Sequence, residues 1–119
     1  MGVINEADVP FAIKDENVEL RMTEVGEMTV SLIRLKKGTD LSPALVGLPD
    51  DLCPCPHWGY MLAGRLKMKT THGDEIYEAG RPFYWSPGHA PVALEDVEYV
   101  DFSPTDEFAA VIKHISGQG

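Results

Sequence analysis

Trp58-Gly59-Tyr60-Met61-Leu62-Ala63-Gly64-Arg65-Leu66-Lys67-Met68-Lys69-Thr70 is the longest strand-like run of the chain. Gly64 interrupts it at the centre, as a tight turn or bulge between two strands does. His72-Gly73-Asp74 follows as a hairpin turn signal, and residues 75–79 supply a return strand. Strand, turn, strand, turn, strand in so short a space leaves no room for a helix there. The reading decides for an all-β chain.

The pattern extends both ways. Downstream, Phe83-Tyr84-Trp85 reads as a short aromatic strand closed by Ser86-Pro87-Gly88. Residues 97–103 (VEYVDFS) alternate apolar and polar side chains, the mark of another strand. Upstream, Met28–Leu35 (MTVSLIRL) is rich in β-branched and apolar residues, and residues 18–22 suit a short strand. Residues 41–48 are apolar but broken by Pro43 and Gly47, which predicts an irregular strand at a pocket mouth. Residues 1–14 read as a lead-in. At the other end Ser103 is expected to cap a helix with Pro104 at its first position. Phe108, Val111, Ile112 and Ile115 then share one face, so a helix is predicted over about 104–115. Many short strands and one terminal helix predict a small sandwich or barrel.

The 119 residues suffice for one domain, expected to span 1–119 with its core at about 28–103. Ten basic against 19 acidic side chains give a net charge of −9, which argues against nucleic acid or an anionic membrane as partner. No apolar run approaches the ~20 residues that span a bilayer. The N-terminus lacks a basic flank followed by an apolar stretch, so a cytoplasmic location is expected, with reduced thiols. Residues 9–13 are the apolar segment available for a homodimer contact.

The chemistry concentrates in Asp51-Leu52-Cys53-Pro54-Cys55-Pro56-His57-Trp58, which holds both cysteines and one of four histidines. On an extended backbone alternate side chains share a face, so Asp51, Cys53, Cys55 and His57 are expected to project together. Two thiols and an imidazole suit a soft ion such as zinc. Two other readings stay open: the cysteines as small core hydrophobes, or as a strained redox pair. Prolines 54 and 56 exclude a central strand and stiffen the segment.

Two stretches resemble the cupin superfamily, whose fold is a double-sheet jelly roll. Its first motif reads H-x-H, three or four residues, E, then an aromatic and apolar run ending in glycine. Tyr60-Met61-Leu62-Ala63-Gly64 resembles that closing run. His57 then stands at the glutamate position, Cys53 at the second histidine and Asp51 near the first. The second motif, G followed by P-x-G-x-x-H, is similar to residues 80–88 (GRPFYWSPG). Its final histidine position holds Pro91, and His89 lies two residues earlier. The chain is thus similar to small bacterial cupin-domain proteins with a variant C-P-C-P-H motif.

The resemblance implies a site inside the barrel. Cys53, Cys55, His57 and His89 are the candidate ligands of a divalent ion, with zinc favoured by the thiolates. His89 is either the fourth ligand or a catalytic base. Met61 is expected to face the site, Trp58 and Tyr60 to face away, and Arg65 and Arg81 are candidates for holding a substrate carboxylate at the rim. His72 is expected in an exposed turn, and His114 off the apolar face of the helix. Two functions follow. One is a metalloenzyme doing redox-neutral chemistry on a small organic molecule, of isomerase, lyase or hydrolase type. The other is a non-catalytic binding or sensor domain whose metal, closed by four ligands, is structural.

Overall fold

A computed structural model describes residues 2–118, with the side chain of residue 118 left aside. Among these residues nine strands form two sheets. The strands are β1 (Phe11–Lys14), β2 (Val18–Val25), β3 (Met28–Leu35), β4 (His57–Ala63), β5 (Arg65–Thr70), β6 (Gly73–Glu78), β7 (Pro82–Trp85), β8 (His89–Ala93) and β9 (Val97–Pro104). The larger sheet runs β1-β2-β3-β9-β4-β7 and the smaller β6-β5-β8, every pairing antiparallel. The helix α1 covers Thr105–Lys113 and runs into an irregular turn at His114–Gln118.

The run that opened the sequence reading splits as its glycine predicts, with β4 and β5 meeting at Gly64. The two halves then part company: β4 joins the large sheet and β5 the small one. Alternation sorts the faces. On β4, Trp58, Tyr60 and Leu62 are exposed while His57 and Met61 are buried. On β9, Val97, Tyr99, Asp101 and Ser103 all point inward. The inward sets of the two sheets meet in one core, where Leu35, Met61 and Leu66 lose nearly all contact with water. Each such side chain contributes roughly 1.5–3 kcal/mol.

Three expectations need correction. Residues 1–14 are more than a lead-in, since β1 extends the large sheet and Val9 is buried. Arg21 Nη1 donates to the carbonyls of Glu6 and Val9 and ties this segment down. Residues 41–48 are no strand; Ser42–Leu45 form a 3-10 turn, because Pro43 cannot donate into a ladder but suits a first helical turn. Ser103 does not cap the helix: it belongs to β9, its side chain faces inward, and Pro104 takes the cap position without a side-chain bond.

Close approach at Gly59 makes it a sensitive point. A β-carbon there would lie 2.2 Å from the Val100 carbonyl oxygen and 2.5 Å from Phe83 Cζ. Gly59 pairs with Asp101 on β9 and Phe83 on β7, so no flexible tip can yield to it. Gly59→Ala should therefore cost about 1–3 kcal/mol of stability, read as a lower urea midpoint. An unchanged midpoint would contradict this packing.

Candidate metal centre

Three local features bring the site together. Pro54 and Pro56 cannot donate to a ladder, so regular pairing of β4 begins only at His57. Before them, Cys53 makes an isolated bridge with His89: its N–H donates to the His89 carbonyl at 2.8 Å, and Gly88 N–H donates to the Cys53 carbonyl at 2.8 Å. Gly88, at φ 95°, takes the left-handed turn that starts β8 and aims His89 inward. His57, the first residue of β4, pairs with Trp85 on β7.

Cys53, His57 and His89 are all buried, and one ligand atom from each lies within 4.8 Å of the others. Cys53 Sγ stands 3.7 Å from His57 Nε2. Ligands at zinc–sulfur and zinc–nitrogen bond lengths in a tetrahedron sit about 3.6 Å apart. The far side of each imidazole is engaged. His89 Nδ1–H donates to the Ser86 carbonyl at 2.7 Å. His57 Nδ1–H donates to Ser103 Oγ at 2.6 Å, and that hydroxyl donates to Asp101 Oδ1 at 3.4 Å. A carbonyl only accepts, so the His89 ring carries its proton on Nδ1, and with Asp101 ionised the serine proton goes to its carboxylate and the His57 ring is protonated on Nδ1 too. Both Nε2 lone pairs are left for the centre. This is how histidine ligands of metals are oriented by their outer partners. Soft donor chemistry, spacing and tautomers all fit a divalent transition-metal ion.

Burial sets the electrostatics. It pushes the Cys53 thiol up to about 11 and the His57 imidazole down to about 3, with His89 nearby adding to the latter. It lowers His89 as well. Asp101, wholly enclosed, is pushed up to about 7 by burial against the opposing bonds to its carboxyl. Without an ion the centre is thus neutral thiol and neutral imidazoles, and loading a metal displaces the thiol proton.

The four sequence candidates do not all converge. Cys55 is fully buried, but its Sγ donates to the Pro56 carbonyl at 3.5 Å and is not one of the three clustered donors. Cys53, Cys55 and His57 do share the buried side of the segment, as alternation predicts, but Asp51 does not, and the segment is not regularly extended. Pro49–Asp51 is a 3-10 turn and residue 55 a bend. Asp51 is exposed, and its carboxylate accepts the Gly47 N–H. Neither cysteine is in a disulfide.

Around the centre lies a cavity of about 500 Å³ between the two sheets, closed on one side by α1 and the following turn. Met61 packs in the core and does not line it. Trp58 and Tyr60 face outward as expected. Arg65 and Arg81 are exposed and do not line it, and Arg65 pairs with Glu78 at 3.6 Å. His72 is exposed in its turn, and His114 Nε2 meets the Val46 carbonyl at 2.8 Å. Asp101 and Tyr99 are not among the residues that the sequence marks for the site, and Ser103 is marked there only as a helix cap. Their signal was present: Asp101 and Ser103 are polar residues at the inward phase of an alternating strand.

No protein-family model and no curated protein matches the chain. Solved structures do. KdgF from Halomonas sp. superposes with TM-score 0.63 at 17% identity, covering 87% of this chain and 94% of that one. An RmlC-like cupin from Shewanella frigidimarina gives 0.61 at 15%, covering 85% and 88%. A sugar phosphate isomerase of the cupin superfamily from Silicibacter pomeroyi gives 0.64 at 12%, covering 87% and 75%. At such identities the agreement speaks for architecture and not for reaction: this chain has the jelly-roll fold of those cupins.

Proposed function

We propose that Cys53, His57 and His89 hold one divalent transition-metal ion, zinc by the softness of the thiolate, and that the chain performs redox-neutral chemistry on a small organic molecule. The observation that carries this is the convergence of three buried donors, each imidazole fixed through Nδ1, beside a cavity of ligand size. Three protein ligands suit an open, reactive site better than a closed structural one. Cys55, which would have closed it, is not among the three converging donors, its sulfur lying on the Pro56 carbonyl. Lewis acidity toward a carbonyl group is the chemistry that such an ion supplies when bound.

The protein's own groups have distinct tasks. His89 acts as a ligand rather than a free base, since one nitrogen is bonded to Ser86 and the other belongs to the donor group. Ser103 and Asp101 are positioning residues that hold the His57 ring and its tautomer. The apolar cavity walls shield the reacting molecule from bulk water. Isomerisation, elimination, hydration and hydrolysis all remain within this scheme. The structurally similar sugar phosphate isomerase is a precedent for enzymatic chemistry on the same fold.

Elemental analysis of untagged protein, before and after equilibration with zinc and gel filtration, tests the reading. We expect about one equivalent per chain, as three buried donors of this type dictate. A metal content near zero after equilibration would reject it.

A further inference from the structure

We propose that the outer face of the large sheet, over β9, β4 and β7, is the contact surface of a homodimer, with Trp58 at its centre. This stands apart from the metal-site reading. Three observations carry it. First, every aromatic side chain that is exposed among the described residues lies on this face. Trp58, Tyr60, Tyr84 and Phe102, with Leu62 beside them, are 41–51% exposed. Trp58 pairs in register with Phe102 on β9 and Tyr84 on β7, and Tyr60 pairs with Val100 and Pro82. Alternation puts them all on the side away from the core, in two adjoining rows across three strands. The Trp58 and Tyr84 rings lie 5.1 Å apart, centroid to centroid, so the platform is ordered in advance. Contiguous apolar surface of this kind on a soluble chain marks a place of association.

Second, the area and its layout suit a second copy. The five side chains leave roughly 500 Å² open to water. Two copies together hide roughly 1,000 Å², the size a specific interface must clear, and Val100 and Pro82 add to it. An aromatic ring flanks Trp58 on each side. A two-fold axis through Trp58 therefore sets Phe102 of one copy over Tyr84 of the other. An isologous contact needs that match of a patch with itself.

Third, charge points the same way. Neither row holds a charged residue. Next along the ladder, Glu98 opposite Ala63 is already paired with Arg34 at 3.3 Å. Two copies thus meet here without like charges opposed, although each carries a net charge of −9. A sugar would call for amide or carboxylate side chains between the rings, and the rows have none. The apolar segment 9–13 offers less surface, since Val9 is buried in its own chain and Ile13 packs against the core.

Sedimentation velocity of the untagged full chain, from low to high micromolar concentration, tests this at about 0.15 M and about 1 M sodium chloride. We expect the mass of two chains, and tighter association at the higher salt, because screening removes repulsion between acidic copies and leaves apolar contact intact. Trp58→Glu should raise the dimer Kd at least about 100-fold, since a central anchor is lost and two like charges meet at the axis. Tyr84→Glu should raise it at least about tenfold. Ile76→Glu, equally exposed but on β6 of the other sheet, should leave the mass unchanged. Should Trp58→Glu fail to fold, Tyr84→Glu and Phe102→Glu decide. The mass of one chain throughout the range would overturn the proposal. So would a dimer that folded Trp58→Glu and Tyr84→Glu leave intact, or one that salt dissociates. A single chain that co-sediments with phosphatidylcholine vesicles would assign the face to a lipid surface and overturn it as well.

Discussion

Cys53→Ser should lower zinc affinity by at least about 100-fold, whereas Cys55→Ser should still bind one equivalent. The two cysteines stand two residues apart and are equally hidden from water, so burial does not distinguish them. Direction does. Cys53 is pinned beside His89 by a backbone bridge, and its sulfur is 3.7 Å from His57 Nε2. Cys55 sits in a bend between two prolines with its sulfur on the Pro56 carbonyl. A serine hydroxyl is a harder and far less acidic donor than a thiol, so replacing Cys53 leaves two imidazoles, too few for tight binding. Chelator competition with zinc, monitored optically, measures both variants. Equal loss in the two would mean that both thiols ligate and that the Cys55 side chain turns on loading. Full affinity in Cys53→Ser would remove the thiolate from the centre altogether.

That contrast marks where sequence reading stops. Strand positions were legible because alternation and glycine punctuation are local: β3, β4, β5, β7 and β9 fall where the pattern of apolar residues and turns puts them. The inward aim of His57 follows from the outward aim of Trp58 and Tyr60, which the same alternation dictates. In the C-P-C-P segment alternation holds for burial but not for the aim of the Cys55 sulfur or the place of Asp51, because it is strict only for a paired, extended backbone. Prolines 54 and 56 deny it that pairing, and Pro49–Asp51 turns the chain before it starts. His89 was placed at the centre by resemblance, and the contact that orients it, Ser86, lies in the turn directly before it. Asp101 and Ser103 were hidden for a different reason. The residue they support is 46 positions from Ser103, and only the pairing of β4 with β9 brings them together. An alternation pattern marks a face as inward but names no partner across the sheet.

Asp101→Asn should have opposite effects on the empty fold and on its metal affinity. Take the fold first, in excess chelator. The Asp101 carboxyl is raised from its ordinary 3.8 to about 7 by complete burial. A carboxyl raised in the folded state favours folding fully below pH 3.8, and this contribution is lost as pH climbs toward 7. Over that window the gap amounts to roughly 4 kcal/mol against the folded protein. Asparagine keeps the shape and an acceptor for the Ser103 hydroxyl but never ionises, so the variant should gain relative stability as pH rises and level off by about pH 8. His57 and His89 titrate with the opposite sign. Both are lowered by burial, so they favour folding above their ordinary 6.5 and weaken it as pH falls. Both proteins carry those histidines, and the difference between urea midpoints at each pH isolates Asp101. Metal affinity should move the other way. Asp101 and Ser103 fix the His57 ring with Nε2 toward Cys53, and an amide is a weaker anchor than a carboxyl. Loss of such an outer partner weakens metal binding by about 10- to 100-fold. A variant more stable when empty yet poorer at holding zinc is the signature of a group retained for its site and not for its fold. A variant whose stability advantage does not grow with pH would show that the buried carboxyl carries no such strain. One with unchanged zinc affinity would take Asp101 out of the support of His57.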